Sequence, residues 1–384
     1  MSNLYLGVNY KYMRNRYLQE FIKADLEKKM VLLAGPRQVG KTFLSKQICP
    51  PAQTCYLNYD VSKHRTRLLK QEFGPEKFWI FDEIHKFKRW KNYLKGVFDE
   101  HRDQHSILVT GSARLDLFRK AGDSLQGRYF FYRLNPLSVN ELGISNRKEM
   151  RELFDLSGFP EPFFSSSKKE ANRWTQDYTA RVLQEDVRNV ERVFDLALLE
   201  QLIHRLPDCV GAPLSINALR EDLQLNHKTV TRWVDLLERF YLIFRVLPFG
   251  SPKIKAVKKE QKHYHFDWNV IKPPGARFEN FIAVHLLKHV HFLRDTEGRA
   301  LELRYLRFID GREVDFVIVE ESRPILAVEC KFGDSEVQPA LRSLKNKFPE
   351  LDCWQIHFDG SKDYVSSEGI RVAPALTLLK TLAV

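Results

Sequence analysis

No apolar run in this sequence approaches the length of a membrane span, and none opens the chain. Tyr5, Tyr10 and Tyr12 stand among Lys11, Arg14 and Arg16, where a secretory leader would place a hydrophobic core. A soluble, cytoplasmic protein is therefore expected. Cysteine is scarce and scattered: Cys49, Cys55, Cys209, Cys330 and Cys353 are odd in number and form no C-x-x-C pair. A zinc-binding pair is excluded, and the thiols read as reduced. There is no heptad run, no internal repeat and no low-complexity tract, which removes coiled coils and solenoids. No basic amphipathic helix with a clear apolar face is evident, so a membrane-surface role is disfavoured.

What is present is positive charge and hydrophobic periodicity. Lys and Arg number 61 against 49 Asp and Glu, a formal net charge of +12 in 384 residues. That excess favours polyanionic partners, DNA among them. The length exceeds what one core normally organises, so several domains are expected. Apolar strands predicted at Met30–Ala34, Thr54–Asn58, Phe78–Phe81 and Ser106–Thr110 alternate with amphipathic helices, as a parallel α/β sheet requires. Leu134-Asn135-Pro136-Leu137-Ser138 punctuates this sheet. Helical patterns then run to Leu206, around a turn predicted at Gly158-Phe159-Pro160-Glu161-Pro162.

Between 214 and 245, Ile216, Leu219, Leu223 and Leu225 lead to a polar turn at Asn226-His227-Lys228, and Val230, Trp233, Leu236 and Leu237 follow at helical spacing. This is a helix-turn-helix outline, and Tyr241–Val246 reads as the first strand of a wing. His227, Lys228, Thr229, Thr231, Arg232 and Arg239 are types that reach phosphates and base edges, although such a module can equally pack subunits. Lys253, Lys255, Lys258, Lys259 and Lys262 read as a basic linker that would join the DNA contact. The expected division is 1–140, a P-loop core; 141–205, a helical lid; 206–250, a winged helix-turn-helix; and 251–384, a third α/β unit.

The strongest chemical signal is Gly35-Pro36-Arg37-Gln38-Val39-Gly40-Lys41-Thr42, which fits G-x-x-x-x-G-K-[ST] between a predicted strand and a predicted helix. Its backbone N–H groups curl around phosphate oxygens, Lys41 reaches the β- and γ-phosphates, and Thr42 ligates Mg²⁺. ATP and Mg²⁺ are the expected ligands. Phe78-Trp79-Ile80-Phe81-Asp82-Glu83 ends an apolar strand in two carboxylates: Asp82 would hold the metal shell, and Glu83 would orient and deprotonate water. Its neighbour His85 reads as a solvated helix-start residue. Thr110 or Ser112, at the end of another buried strand, would sense the γ-phosphate. Arg128 reads either as a donor to a neighbouring subunit's γ-phosphate or as an ordinary surface cap.

Near the C-terminus, Glu313–Val319 and Ile325–Lys331 read as a hairpin bearing acidic groups. Glu329 and Lys331 share one strand face, and Asp315 can join them from the neighbouring strand. Two carboxylates and a lysine suit metal-dependent phosphodiester hydrolysis: Asp315 and Glu329 would bind Mg²⁺ or Mn²⁺, and Lys331 would lower the pKa of the attacking water. The D…E-x-K spacing resembles the PD-(D/E)XK nucleases, and Glu279 within Phe278-Glu279-Asn280-Phe281-Ile282 resembles their leading glutamate. No proline precedes Asp315, a departure from the literal motif.

Taken in order, the P-loop, Phe81-Asp82-Glu83-Ile84-His85, Thr110-Gly111-Ser112, Gly127-Arg128, Leu134–Ser138 and Gly158–Glu161 resemble the AAA-type ATPases that carry a winged helix and a C-terminal nuclease-like domain. The resemblance spans almost the whole chain and implies an AAA-type fold with sites completed across a homo-oligomer. The expected activity is ATP hydrolysis coupled to DNA, with a metal-dependent C-terminal nuclease. The alternative is an ATP-dependent switch or scaffold whose nuclease-like domain only binds.

Overall fold

The computed structural model describes residues 15–111, 125–187, 195–250 and 260–384. The chain divides into two compact units, Met1–Asn135 and Pro136–Val384.

In the first unit, β1 (Met30–Ala34), β2 (Thr54–Asn58), β3 (Phe78–Asp82), β4 (Ser106–Thr110) and β5 (Tyr129–Arg133) form one parallel sheet in the order β2-β3-β4-β1-β5. All five residues of β1 are buried, as a strand covered on both faces demands. Four strands coincide with the predicted ones, β3 running one residue further to take in Asp82. Trp79, Phe81, Leu94, Val97 and Phe98 close one face of the core. β4 lies between β1 and β3, so the chain leaves β1 for the far edge and returns. In such open sheets the carboxyl ends of the strands at the crossover form the natural ligand crevice.

The second unit begins with helices at Arg147–Leu156, Pro160–Phe164, Lys168–Arg181 and Leu196–Arg205. Side chains of Asn146, Ser167 and Asp195 cap the first, third and fourth by accepting a backbone N–H three residues on. The turn expected across Gly158–Pro162 occurs earlier, at Ser157 with φ 120°, and Pro160 opens a helix, where its missing N–H costs nothing.

Helices Ile216–Asp222 and His227–Arg239 follow, capped by Ser215 and Asn226. Asn226 accepts the N–H of Thr229, so His227 and Lys228 belong to the second helix and not to the turn. Tyr241, with φ 54°, ends that helical segment, and β6 starts at Ile243. β6 (Ile243–Pro248) and β7 (Lys262–His265) pair antiparallel, and the far end of β6 pairs parallel with β8 through Leu247 and Pro248. The hairpin is therefore the edge of an eight-stranded mixed sheet, ordered β12-β13-β11-β10-β9-β8-β6-β7. Its other members are β8 (Leu301–Arg307), β9 (Glu313–Glu320), β10 (Arg323–Lys331), β11 (Asp352–His357), β12 (Tyr364–Val365) and β13 (Arg371–Pro374). The long helix Pro274–Thr296 packs on this sheet through a largely apolar surface that includes Phe278, Phe281, Ile282 and Leu286. Among the described residues no helix is long and apolar enough to cross a membrane.

Candidate functional site

The loop after β1 is shaped by its glycines. Gly35 has φ +146°, and a Cβ there would stand 2.3 Å from the carbonyl oxygen of Leu134. Gly40, at φ 100°, is the left-handed residue from which the helix Lys41–Ile48 starts. The loop backbone thus wraps toward a helix N-terminus, where N–H groups have no intrahelical acceptor. Lys41 is buried beneath it and donates to the carbonyls of Gly35 at 2.9 Å and Pro36 at 2.7 Å.

Asp82 is the hub opposite. It is buried and accepts from Thr42 Oγ1 at 3.2 Å, Tyr56 Oη at 2.5 Å, Asn58 Nδ2 at 3.4 Å and Thr110 Oγ1 at 2.5 Å. Thr42 and Asp82 are joined directly, and a hydroxyl beside a carboxylate under a phosphate-binding loop fits Mg²⁺, whose remaining ligands come from phosphate and water. Glu83 follows in a left-handed conformation, φ 57°, with its N–H bonded to the Thr110 carbonyl at 3.0 Å. Burial pushes its carboxyl up to about 7, against the pull of Lys41 and with a further push from Asp82. His85 is buried rather than solvated, the middle residue of the short 3₁₀ turn Ile84–Lys86, with Nε2 3.5 Å from Glu83 Oε2.

Arg16 was not legible as a site residue. Its buried guanidinium donates to the Val39 carbonyl at 2.5 Å and the Asn135 carbonyl at 2.7 Å, bracing the phosphate loop against the end of the unit. Tyr56 and Asn58 were also missed, although two polar residues two positions apart on one face of a half-buried strand are the signal that would have found them. Arg37, Gln38 and Val39 lie in the loop, with Gln38 at φ 59°. Ser112 lies outside the described residues. Arg128 precedes β5, whose first residue pairs with Met30, so it stands at the opposite end of the sheet from Gly35, roughly 16 Å along the strands. There it makes a bidentate pair with Asp99 at 2.7 and 3.0 Å.

In the second unit, the sheet and the helix Pro274–Thr296 bring Glu279, Asp315, Glu329 and Lys331 into one neighbourhood, and add a residue that the sequence pattern places elsewhere. Lys262, expected in the basic linker that would join the DNA contact, is only 1% exposed. Its Nζ lies 3.0 Å from Glu313 Oε2, 3.4 Å from Glu279 Oε1 and 3.7 Å from Asp315 Oδ1. Burial alone would lower its pKa, but Glu279, Asp315 and Glu313 together raise it and keep the ammonium charged. Lys253, Lys255, Lys258 and Lys259 fall outside the described residues. Tyr264 donates to Glu279 Oε1 at 2.7 Å, and Asp315 Oδ2 accepts the Cys330 N–H at 2.9 Å. Lys331 pairs with Glu329 Oε1 at 2.8 Å, while Glu329 Oε2 is buried with no hydrogen-bond partner. Burial, then Asp315, pushes Glu329 up to about 8, with Lys331 opposing; burial and Asp315 likewise push Glu279 to about 7. Among the described residues no three His, Cys, Asp or Glu side chains are arranged to hold a metal ion. Glu279, Glu313 and Asp315 face the Lys262 ammonium and Glu329 pairs with that of Lys331, an arrangement that does not fit the Mg²⁺ or Mn²⁺ expected between Asp315 and Glu329.

A separate groove of 280 Å³ runs along the helix His227–Arg239, lined by His227, Lys228, Thr231, Arg232, Asp235 and Arg239. Five of these six can donate to a phosphate oxygen.

Comparison with known proteins agrees with the first unit. Residues 27–143 match the AAA domain family, residues 147–270 a domain of unknown function (DUF8612), and residues 274–377 another (DUF4143). The matched first segment, with its P-loop and sheet order, is similar to AAA-type P-loop ATPase domains. The chain is 24% identical over 350 residues to an uncharacterized protein of Mycobacterium tuberculosis, covering 84% of this chain and 78% of that one. It is 26% identical over 299 residues to an uncharacterized protein of Methanocaldococcus jannaschii, covering 64% and 62%. Among solved structures, Thermotoga maritima RuvB superposes at 19% identity and a TM-score of 0.29 over 60% of this chain and 88% of that one. A katanin self-assembly structure does so at 14% and 0.24 over 61% and 89%. Superpositions this poor have no bearing on function.

Proposed function

We propose that this chain hydrolyses ATP at the first unit and uses the cycle to act on DNA through the second. The observation that carries the ATP part is the junction of Thr42 with Asp82 under a glycine-shaped loop, with Glu83 next in line. Gly35 to Thr42 hold the phosphates, and Lys41 leaves the loop carbonyls for the β- and γ-phosphates. Thr42 and Asp82 hold Mg²⁺, which supplies charge neutralisation at the phosphates when bound. Glu83 orients water and takes its proton, and Thr110, bonded to Asp82, reports the state of the site to β4.

The DNA part rests on the basic groove of the helix His227–Arg239 and on the formal charge of +12. DNA should accelerate ATP turnover. The double variant Lys228→Ala, Arg232→Ala should bind duplex DNA more weakly, with the slope of log K against log salt flatter by about 0.9 for each phosphate that is no longer neutralised. Unchanged affinity and slope would make the helix structural, and turnover indifferent to DNA would leave the switch-or-scaffold reading standing. For the C-terminal sheet, the buried Lys262 favours a binding role over metal-dependent cleavage by Glu279, Asp315, Glu329 and Lys331.

Arg128 is proposed as the residue that completes a neighbouring copy's site in a homo-oligomer, released from Asp99 on assembly. Mixing Arg128→Ala with Lys41→Ala, each inactive alone, should restore part of the turnover, since some mixed interfaces combine an intact loop with an intact arginine. No recovery in verified mixed assemblies removes Arg128 from that role.

A further inference from the structure

We infer that Lys262 is a built-in counter-ion that takes the place of a divalent metal in the acidic cluster of the C-terminal sheet, making this a metal-independent centre. The cluster lies within the second unit, so its character is the same whether or not the first unit hydrolyses ATP.

β7 is held along its length, Lys262 pairing with Val246 in β6 and bridging to Pro213, so the side chain enters the cluster from a fixed backbone. Its ammonium lies over the ring of Tyr305, 5.4 Å from the centroid, and only 1% of the residue reaches solvent. A lysine so enclosed cannot simply swing out to admit another cation.

A metal between Asp315 and Glu329 would also compete with the partners that these carboxylates already have. Asp315 Oδ1 faces Lys262, and Oδ2 accepts the Cys330 N–H. Glu279 Oε1 takes Tyr264 and Lys262, and Glu329 Oε1 takes Lys331. Glu329 Oε2 is buried without a hydrogen bond, and by itself it is a single ligand. A divalent ion would have to displace several N–H and O–H donors while repelled by two ammonium groups at close range in a poorly solvated site.

The test is titration of the nucleotide-free full chain with Mn²⁺, free ion being followed by electron paramagnetic resonance. Wild type and Asp315→Asn should hold the same number of Mn²⁺ ions, because the cluster contributes none. Lys262→Met, which empties the ammonium position, should gain a site about tenfold or more tighter than anything wild type offers there. That site should vanish in Lys262→Met, Asp315→Asn, and Lys262→Arg should not acquire it. A wild-type Mn²⁺ site that disappears in Asp315→Asn overturns the inference, and so does a folded Lys262→Met that gains none. If circular dichroism shows Lys262→Met unfolded, Lys262→Gln, which keeps an N–H donor without the charge, replaces it under the same criteria.

Discussion

Glu83→Gln should bind ATP about as tightly as wild type and turn it over roughly 10² to 10⁴ times more slowly. The substitution keeps the size of the side chain and its place after β3, where the Glu83 N–H bonds the Thr110 carbonyl. It leaves Asp82, with its bonds from Thr42, Tyr56, Asn58 and Thr110, untouched. Only the capacity to accept a proton from water is removed, and an interaction made in the transition state alone lowers kcat rather than ATP affinity. Lys41→Ala makes the contrast: its ammonium is a binding group, so ATP affinity should fall with the rate. The measurements are single-turnover hydrolysis and equilibrium binding of a fluorescent ATP analogue. A Glu83→Gln protein with wild-type kcat would take this residue out of the chemistry.

Gly35→Ala should abolish nucleotide binding and lower stability in the same protein. A Cβ at this position meets backbone, the Leu134 carbonyl oxygen at 2.3 Å and its carbon at 3.2 Å, and backbone in a sheet-end segment cannot step aside as a flexible side chain would. The φ of +146° is itself costly for any residue with a Cβ, about 1–3 kcal/mol. The loop must therefore rotate, and with it the carbonyls that hold Lys41. Thermal unfolding with and without ATP and Mg²⁺ reads both effects: a lower midpoint without ligand and no upward shift on adding it. A Gly35→Ala chain still stabilised by ATP would show that the loop tolerates the rotation.

The first unit was the more legible because its signals are local. Met30–Ala34 is apolar throughout, Gly35 to Thr42 carry their own conformational requirements, and Asp82-Glu83 end an apolar run, so each could be read within a few residues. Sheet order could not, since nothing within Ser106–Thr110 says that it inserts between β1 and β3. The second unit yielded its helix pair and its acidic hairpin for the same local reason, and the limits of the pair moved because Asn226 caps a helix that takes in His227 and Lys228, two residues sooner than the polar run suggested.

Residue types and their immediate neighbours thus determined the nucleotide loop, its glycines, the carboxylate pair and most of the strands, because steric allowance and periodicity act over one turn or one strand. Tertiary structure alone decided which distant groups meet. Arg16 reaches Asn135 across 119 positions, and Lys262, set in what reads as a basic linker, is drawn inward by Glu279, Glu313 and Asp315. A charge near other charges in sequence is read as solvated, yet its state is set by the groups around it in space, and three carboxylates from an interior strand and a covering helix outweigh the cost of taking one ammonium out of water.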